Sequence, residues 1–208
     1  MDHRRVFLAA AEAFAELVER VPTDRWDGPG LGVWNVRDLT GHTVSAGLRG
    51  VLTSLAQPAE RCDMPSAARY YALARSVDPA FYRAAVAASE DDARRQGAVL
   101  GEQPAAVVRP LLSEVAAAVE SAEGHALVHT PAGGMRLVDW LETRTFELAV
   151  HGLDIAVAVG VPAGVPKEVL AEAAGLAVRV GVEVGDDGVT VLLALTGRGS
   201  LPQGFCVL

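Results

Sequence analysis

The chain has 208 residues, a formal net charge of −8, and 50% apolar but only 5% aromatic residues. That is enough aliphatic material for one core, in one domain or one domain with an appendage. The acidic balance, without clustered Lys and Arg, argues against a polynucleotide or anionic-membrane surface, and two widely spaced cysteines exclude a disulfide framework and fit a reducing cytoplasm. In chain order, the apolar segment after the first five residues imitates a signal peptide, but Glu12 and Glu16 interrupt it. Val6, Phe7, Ala10, Phe14, Leu17 and Val18 recur at helical spacing and predict a helix over 3–21, ended by Pro22. A Gly- and Pro-rich loop holding Trp26 and Trp34 leads to Asn35, the expected N-cap of a second helix reaching about residue 55. Asp38 supports its first turn, and Gly41 and Gly47 leave room for another helix to approach closely.

Residues 56–66 read as a Pro-punctuated loop, followed by a helical stretch from 67 to 97 with a break at Asp78-Pro79. Pro104 and Pro110 both suit a helix start better than an interior, which places the next helix over 105–122. A turn at 129–134 precedes the strongest helix, 137–159, and another helix covers 166–180. After a Gly-Asp-Asp-Gly turn at 185–188, Val189 to Leu195 reads as a β-type run. No stretch of 18 uninterrupted apolar residues exists, because the best candidate carries His151 and Asp154. The expected fold is mainly α with a small mixed α/β C-terminal piece.

The 137–159 helix carries the most information. At about 100° per residue, Trp140, Arg144, Glu147, His151 and Asp154 share one narrow stripe. Leu137, Leu141, Leu148 and Ile155 flank it on one side, and Phe146, Val150, Leu153 and Val157 on the other. The opposite face, Glu142, Thr145, Ala149, Gly152 and Ala156, is small and mixed and suits solvent. An ordinary amphipathic helix sets its charges opposite the apolar arc; here they lie in the middle of it. Carried into a core, such charges need partners. Glu147 and His151, at i and i+4, can converge on one point, and a carboxylate with an imidazole suits a divalent metal such as zinc. The bland alternative is an exposed helix-stabilising pair. A third ligand is available in His42 on the second helix, with Asp38 one turn earlier as a candidate acceptor for its second ring proton, although His42 read alone suits a core histidine bonded to a backbone carbonyl. His125 and His129 lie in a loop, and His3 is expected at the surface.

Taken together, Trp34-Asn35-Val36-Arg37-Asp38-Leu39, Gly41-His42, Arg144-Thr145-Phe146-Glu147 and His151-Gly152-Leu153-Asp154 resemble the DinB-like metal-binding four-helix bundles, in the mycothiol-dependent maleylpyruvate isomerase branch. The tail Leu195-Thr196-Gly197-Arg198, with Leu201-Pro202 and Gly204-Phe205, is similar to the C-terminal part of those proteins. The resemblance implies a bundle over residues 1–160 and a short extension over 161–208, with zinc held by His42, Glu147 and His151. It also implies a thiol cofactor, mycothiol, at the position that three protein ligands leave open. The isomerase itself carries a larger C-terminal domain, so the shared ligand set does not fix the substrate. Carboxylate-bearing substrates of the maleylpyruvate type would call for cations near the metal, and Arg49 and Arg144 are the catalytic candidates, with Arg198 behind them. Each has a structural alternative: Arg144 a pairing with Asp154 or Glu147, and Arg49 an extended side chain that reaches solvent.

Three functions remain open on the sequence: a thiol-dependent isomerase or S-transferase, a metal-dependent hydrolase, and a non-catalytic metal- or ligand-binding protein. The expected partners are a small molecule and a thiol, in the cytoplasm, with no nucleic acid and no membrane, and with a homodimer left open. Trp26, Trp34 and Trp140 read as packing and loop anchors rather than substrate stackers, with a place at the border of the pocket as the alternative for Trp140, which shares the polar stripe.

Overall fold

In a computed structural model, which describes residues 2–74, 76–184 and 187–207, the chain is a mainly α bundle with one small hairpin. In order, it comprises α1 (His3–Arg20), α2 (Val36–Thr43), a π-helical segment (Val44–Arg49) and α3 (Gly50–Leu55), followed by α4 (Ala67–Ala74), α5 (Pro79–Leu100) and α6 (Pro104–Ser121). Strands β1 (Leu127–Thr130) and β2 (Gly133–Arg136) precede α7 (Leu137–Val159), α8 (Lys167–Val184) and α9 (Asp187–Leu195). Helix α7 packs against α1, α2 and α8, while α2 packs against α5 and α1 against α6. The core is aliphatic: Val6, Leu17, Leu39, Leu48, Leu137, Leu141, Leu148, Ile155 and Leu176 are all buried within one cluster. Among the described residues, no helix is long and apolar enough to cross a membrane.

Local chemistry accounts for most boundaries. The Asn35 side chain accepts the Asp38 N–H at 2.7 Å and so caps α2 as expected. Asp78 accepts from Ala80 N, and Pro79 stands in the first turn of α5, which explains the break after α4. Gly41 lets α2 and α5 meet backbone to backbone, since a Cβ there would lie 2.3 Å from Gly97 N. At Gly47 a Cβ would meet Leu148 Cδ2 at 2.7 Å, so the π-helical segment sits directly on α7. The 129–134 turn is a two-stranded antiparallel hairpin, with Val128 opposite Met135 and Thr130 opposite Gly133.

Three expectations are corrected. Val189 to Leu195 is helical, not a β-type run. Its Val189, Leu192 and Leu195 are exposed, and a helix pairs its own backbone groups where a lone strand would leave them without partners. The turn expected at 185–188 lies partly outside the described residues. Pro110 lies inside α6, and only Pro104 marks its start. Finally, the α7 face expected to meet solvent is buried: Glu142, Thr145, Ala149, Gly152 and Ala156 all face inward, while Leu153 and Val157 are exposed. Helices α1 and α8 pack on α7, and α8 brings Val169, Leu176 and Val180 into the same core.

Beneath α8, Glu142 pairs with Arg179, and the nearly fully buried Glu172 takes His3 Nδ1 at 3.0 Å. His3, expected at the surface, is therefore half-buried, with its ring held by a buried carboxylate. The hydrogen bond to Glu172 outweighs the opposing effect of burial and raises the His3 pKa. Its contribution to stability is thus complete below the unfolded histidine value of about 6.5 and is lost as pH rises through the higher folded value. Urea unfolding of wild type and His3→Gln should show a stability gap that is full below about pH 6.5 and narrows as pH rises above it. A gap that stays constant as pH rises would mean that the contact is packing and not ionic.

Candidate metal centre

Two elements far apart in the chain bring the key donors together. α2 presents His42 at its last turn, and α7 presents Glu147 and His151 one turn apart. One ligand atom from each of the three side chains lies within 4.8 Å of the others. Glu147 Oε2 is 3.3 Å from His151 Nε2, and the two imidazole rings meet edge to face with centroids 5.0 Å apart. Two imidazoles and a carboxylate are a donor set that suits a divalent zinc-like ion, and three protein donors leave a further position for a ligand.

Each donor is also held from behind. His151 Nδ1 is 3.1 Å from Asp154 Oδ2, so a proton on Nδ1 leaves Nε2 to face the other two side chains. His42 Nδ1 is 3.4 Å from Ser89 Oγ of α5, and Trp34 stacks on the ring at 4.7 Å. Asp38, the expected partner of His42, instead lies where its carboxylate would crowd a Cβ at Gly97. The Tyr71 hydroxyl of α4 donates to Glu147 Oε1 at 2.8 Å, with the Thr143 carbonyl 3.1 Å away. Tyr71, Ser89 and Trp34 were not legible as site residues, because their only signal is proximity across gaps of more than 40 positions in all but one pairing, Trp34 with His42.

The electrostatics follow from this packing. Burial opposes charge on Glu147, yet His151, the Arg144 guanidinium and the Tyr71 hydroxyl together hold its pKa down at about 2. Burial also opposes a charged His151, but its contacts with Asp154 and Glu147 prevail and raise it to about 9. His42 moves the other way: burial, helped by the neighbouring His151 and Arg144, lowers its pKa and keeps it neutral at pH 7. Burial and the adjacent Glu147 charge push the Tyr71 phenol well above its ordinary value, so it remains a donor.

His42 and Glu147 stand in the wall of a cavity of about 900 Å³, which extends past Arg49, Gln57, His129 and Trp140. The π-helical segment shapes one side of it. Gly50 N–H reaches back to Ser45 O, and the widened turn carries Ser45, Ala46 and Arg49 to the cavity. No sequence signal announced that bulge. The two arginines differ sharply. Arg144 is engaged throughout: Nε with Thr143 Oγ1 at 3.0 Å, Nη1 with Ala46 O at 3.1 Å, Nη2 3.9 Å from Glu147, and its guanidinium 3.9 Å from the Trp140 ring centroid. Arg49 Nε and Trp140 Nε1 are buried with no hydrogen-bond partner among the described residues. Arg198 is not a cavity residue and bonds Thr196 O. His125 is exposed beside Glu123, and His129 reaches the cavity rim from the hairpin.

The model of the mycothiol maleylpyruvate isomerase N-terminal domain matches residues 7–156. The chain belongs to that family. The match runs from within the first turns of α1 through nearly all of α7, and with it takes in His42, Glu147 and His151. It stops before α8, although α8 completes the core on which α7 rests. No curated protein and no solved structure matches the chain.

Proposed function

We propose that this family member is a metal-dependent enzyme that uses a low-molecular-weight thiol, mycothiol by family, to isomerise a small electrophile or to add that thiol intact to it through a new carbon–sulfur bond. His42, Glu147 and His151 would hold the divalent ion, zinc by donor chemistry. The observation that carries the reading is the convergence of these three side chains within 4.8 Å at the wall of a cavity. Once bound, such an ion supplies Lewis acidity, which lowers a thiol's pKa toward neutrality.

The chain's own residues do the rest. Asp154 and Ser89 fix the orientation of the two imidazoles, and Trp34 covers the His42 ring. Arg144 steadies Glu147 and ties α7 to the Ala46 carbonyl. Arg49 is the group that meets substrate: its buried, unpartnered Nε calls for an acceptor, and a substrate carboxylate in the cavity provides one. The cavity is large enough to hold a thiol and a small electrophile together. A cytoplasmic site of action fits this chemistry.

The reading is tested by calorimetric titration of mycothiol into zinc-loaded and zinc-stripped protein. Binding confined to the loaded form is expected; equal binding to both forms overturns the assignment. Turnover of an electrophile in the absence of any thiol would overturn it in favour of a hydrolase. For Arg49→Ala, KM for a carboxylate-bearing substrate should rise roughly 10–100-fold with zinc content unchanged. An unaltered KM would remove Arg49 from substrate binding.

A further inference from the structure

We propose that Tyr71 is a positioning residue that makes Glu147 a one-oxygen donor and so keeps a coordination position open toward the cavity. The proposal rests on the metal reading above and extends it to a residue on a helix that carries none of the three donors.

The two oxygens of Glu147 have different surroundings. Oε2 faces His151 Nε2 at 3.3 Å. Oε1 accepts the Tyr71 hydroxyl at 2.8 Å and has Arg144 Nη2 at 3.9 Å. A free carboxylate can present both oxygens to one cation, as a chelate that fills an additional position. A phenol donating to a carboxylate makes a charge-assisted hydrogen bond, stronger than a neutral one, and it competes directly with any second metal–oxygen contact. With the single Tyr71 proton directed at Oε1, the shorter contact and the charged acceptor, Oε2 is left as the donor beside the histidines.

The phenol cannot readily leave. Its ring lies against Phe146 at 5.2 Å and Tyr70 at 5.4 Å. Helix α4 is anchored in the core by the buried Ala67 and Ala68, and to α8 by the Arg69–Glu183 ion pair at 3.2 Å. Arg144 alone does not replace the phenol, because it stands farther from Oε1 and is committed to Ala46, Thr143 and Trp140. Tyr71 thus acts through Glu147, without a place in the cavity wall itself.

Tyr71→Phe removes only the hydroxyl and retains the ring packing. Cobalt(II) is the probe, since its visible absorption weakens as coordination number rises. The variant should still take up cobalt, but with weaker absorption than wild type, and mycothiol should bind the cobalt form roughly 10-fold less tightly. Unchanged absorption and unchanged thiol affinity would overturn the proposal and leave Tyr71 a packing residue. Wild type gives an independent reading that needs no variant. The infrared difference between zinc-loaded and zinc-free protein should show widely split carboxylate stretches, the mark of one-oxygen binding, and a narrow splitting overturns the proposal. Failure of wild type to bind either metal would instead bring down the metal reading itself, so the two failures are distinguishable.

Discussion

Glu147→Ala should lose zinc: after dialysis, content is expected to fall from about one ion per chain to below about a tenth. Loss of an outer hydrogen-bond partner of a metal ligand already costs roughly 10–100-fold in affinity, and removing a ligand itself costs more. The remaining pair, His42 and His151, comes from different helices and offers no third donor among the described residues. The substitution also strips His151 Nε2 of its carboxylate and leaves the Tyr71 hydroxyl and Arg144 without their shared acceptor. A destabilisation of about 1–3 kcal/mol is therefore expected, and Asp154 remains to hold the ring. Elemental analysis beside thermal unfolding separates the two effects. The same measurement on His125→Ala, an exposed histidine paired with Glu123 and remote from the three donors in sequence, should show wild-type zinc. Zinc retained by a folded Glu147→Ala would reduce the α7 stripe to a buried polar network.

Gly41→Ala should be the most damaging single-methyl change near the site. The added Cβ would lie 2.3 Å from Gly97 N and 2.7 Å from the Gln96 carbonyl carbon, both backbone atoms of α5. No rotamer change can relieve such a clash, so the two helices must part. Overpacking typically costs about 1–3 kcal/mol, and a backbone-to-backbone clash belongs at or above the top of that range. For a chain of this size, about 3 kcal/mol corresponds to a drop in melting temperature of roughly 6–12 °C. His42 is the next residue and Ser89 sits on α5, so separating α2 from α5 also disturbs the imidazole. Zinc affinity should fall with stability. A variant with wild-type melting temperature would show that α2 and α5 do not meet as described.

The sequence by itself determined what depends on neighbours within a few turns. The 137–159 periodicity marked α7 and placed Glu147 and His151 on one stripe; Asn35 announced its cap, and Asp78-Pro79 announced the start of α5. The charged stripe within an apolar arc was legible because burying those charges demands compensation wherever the helix packs. The glycines of α2 and the π-helical segment signalled close approach for the same reason, since only a missing Cβ permits it.

Only the tertiary structure decided what depends on partners distant in the chain. Periodicity separates the faces of α7 but does not say how many of them are covered, and α8 packing beside α1 buries the face expected to meet water. Val189 to Leu195 carries β-type composition, yet strand propensity acts only where there is an edge to join, and here the segment closes its hydrogen bonds as α9. Tyr71, 76 positions from Glu147, and Ser89, 47 positions from His42, reach the site through packing alone. Donor identity was therefore local information, whereas the orientation of each donor was set by helices that carry none.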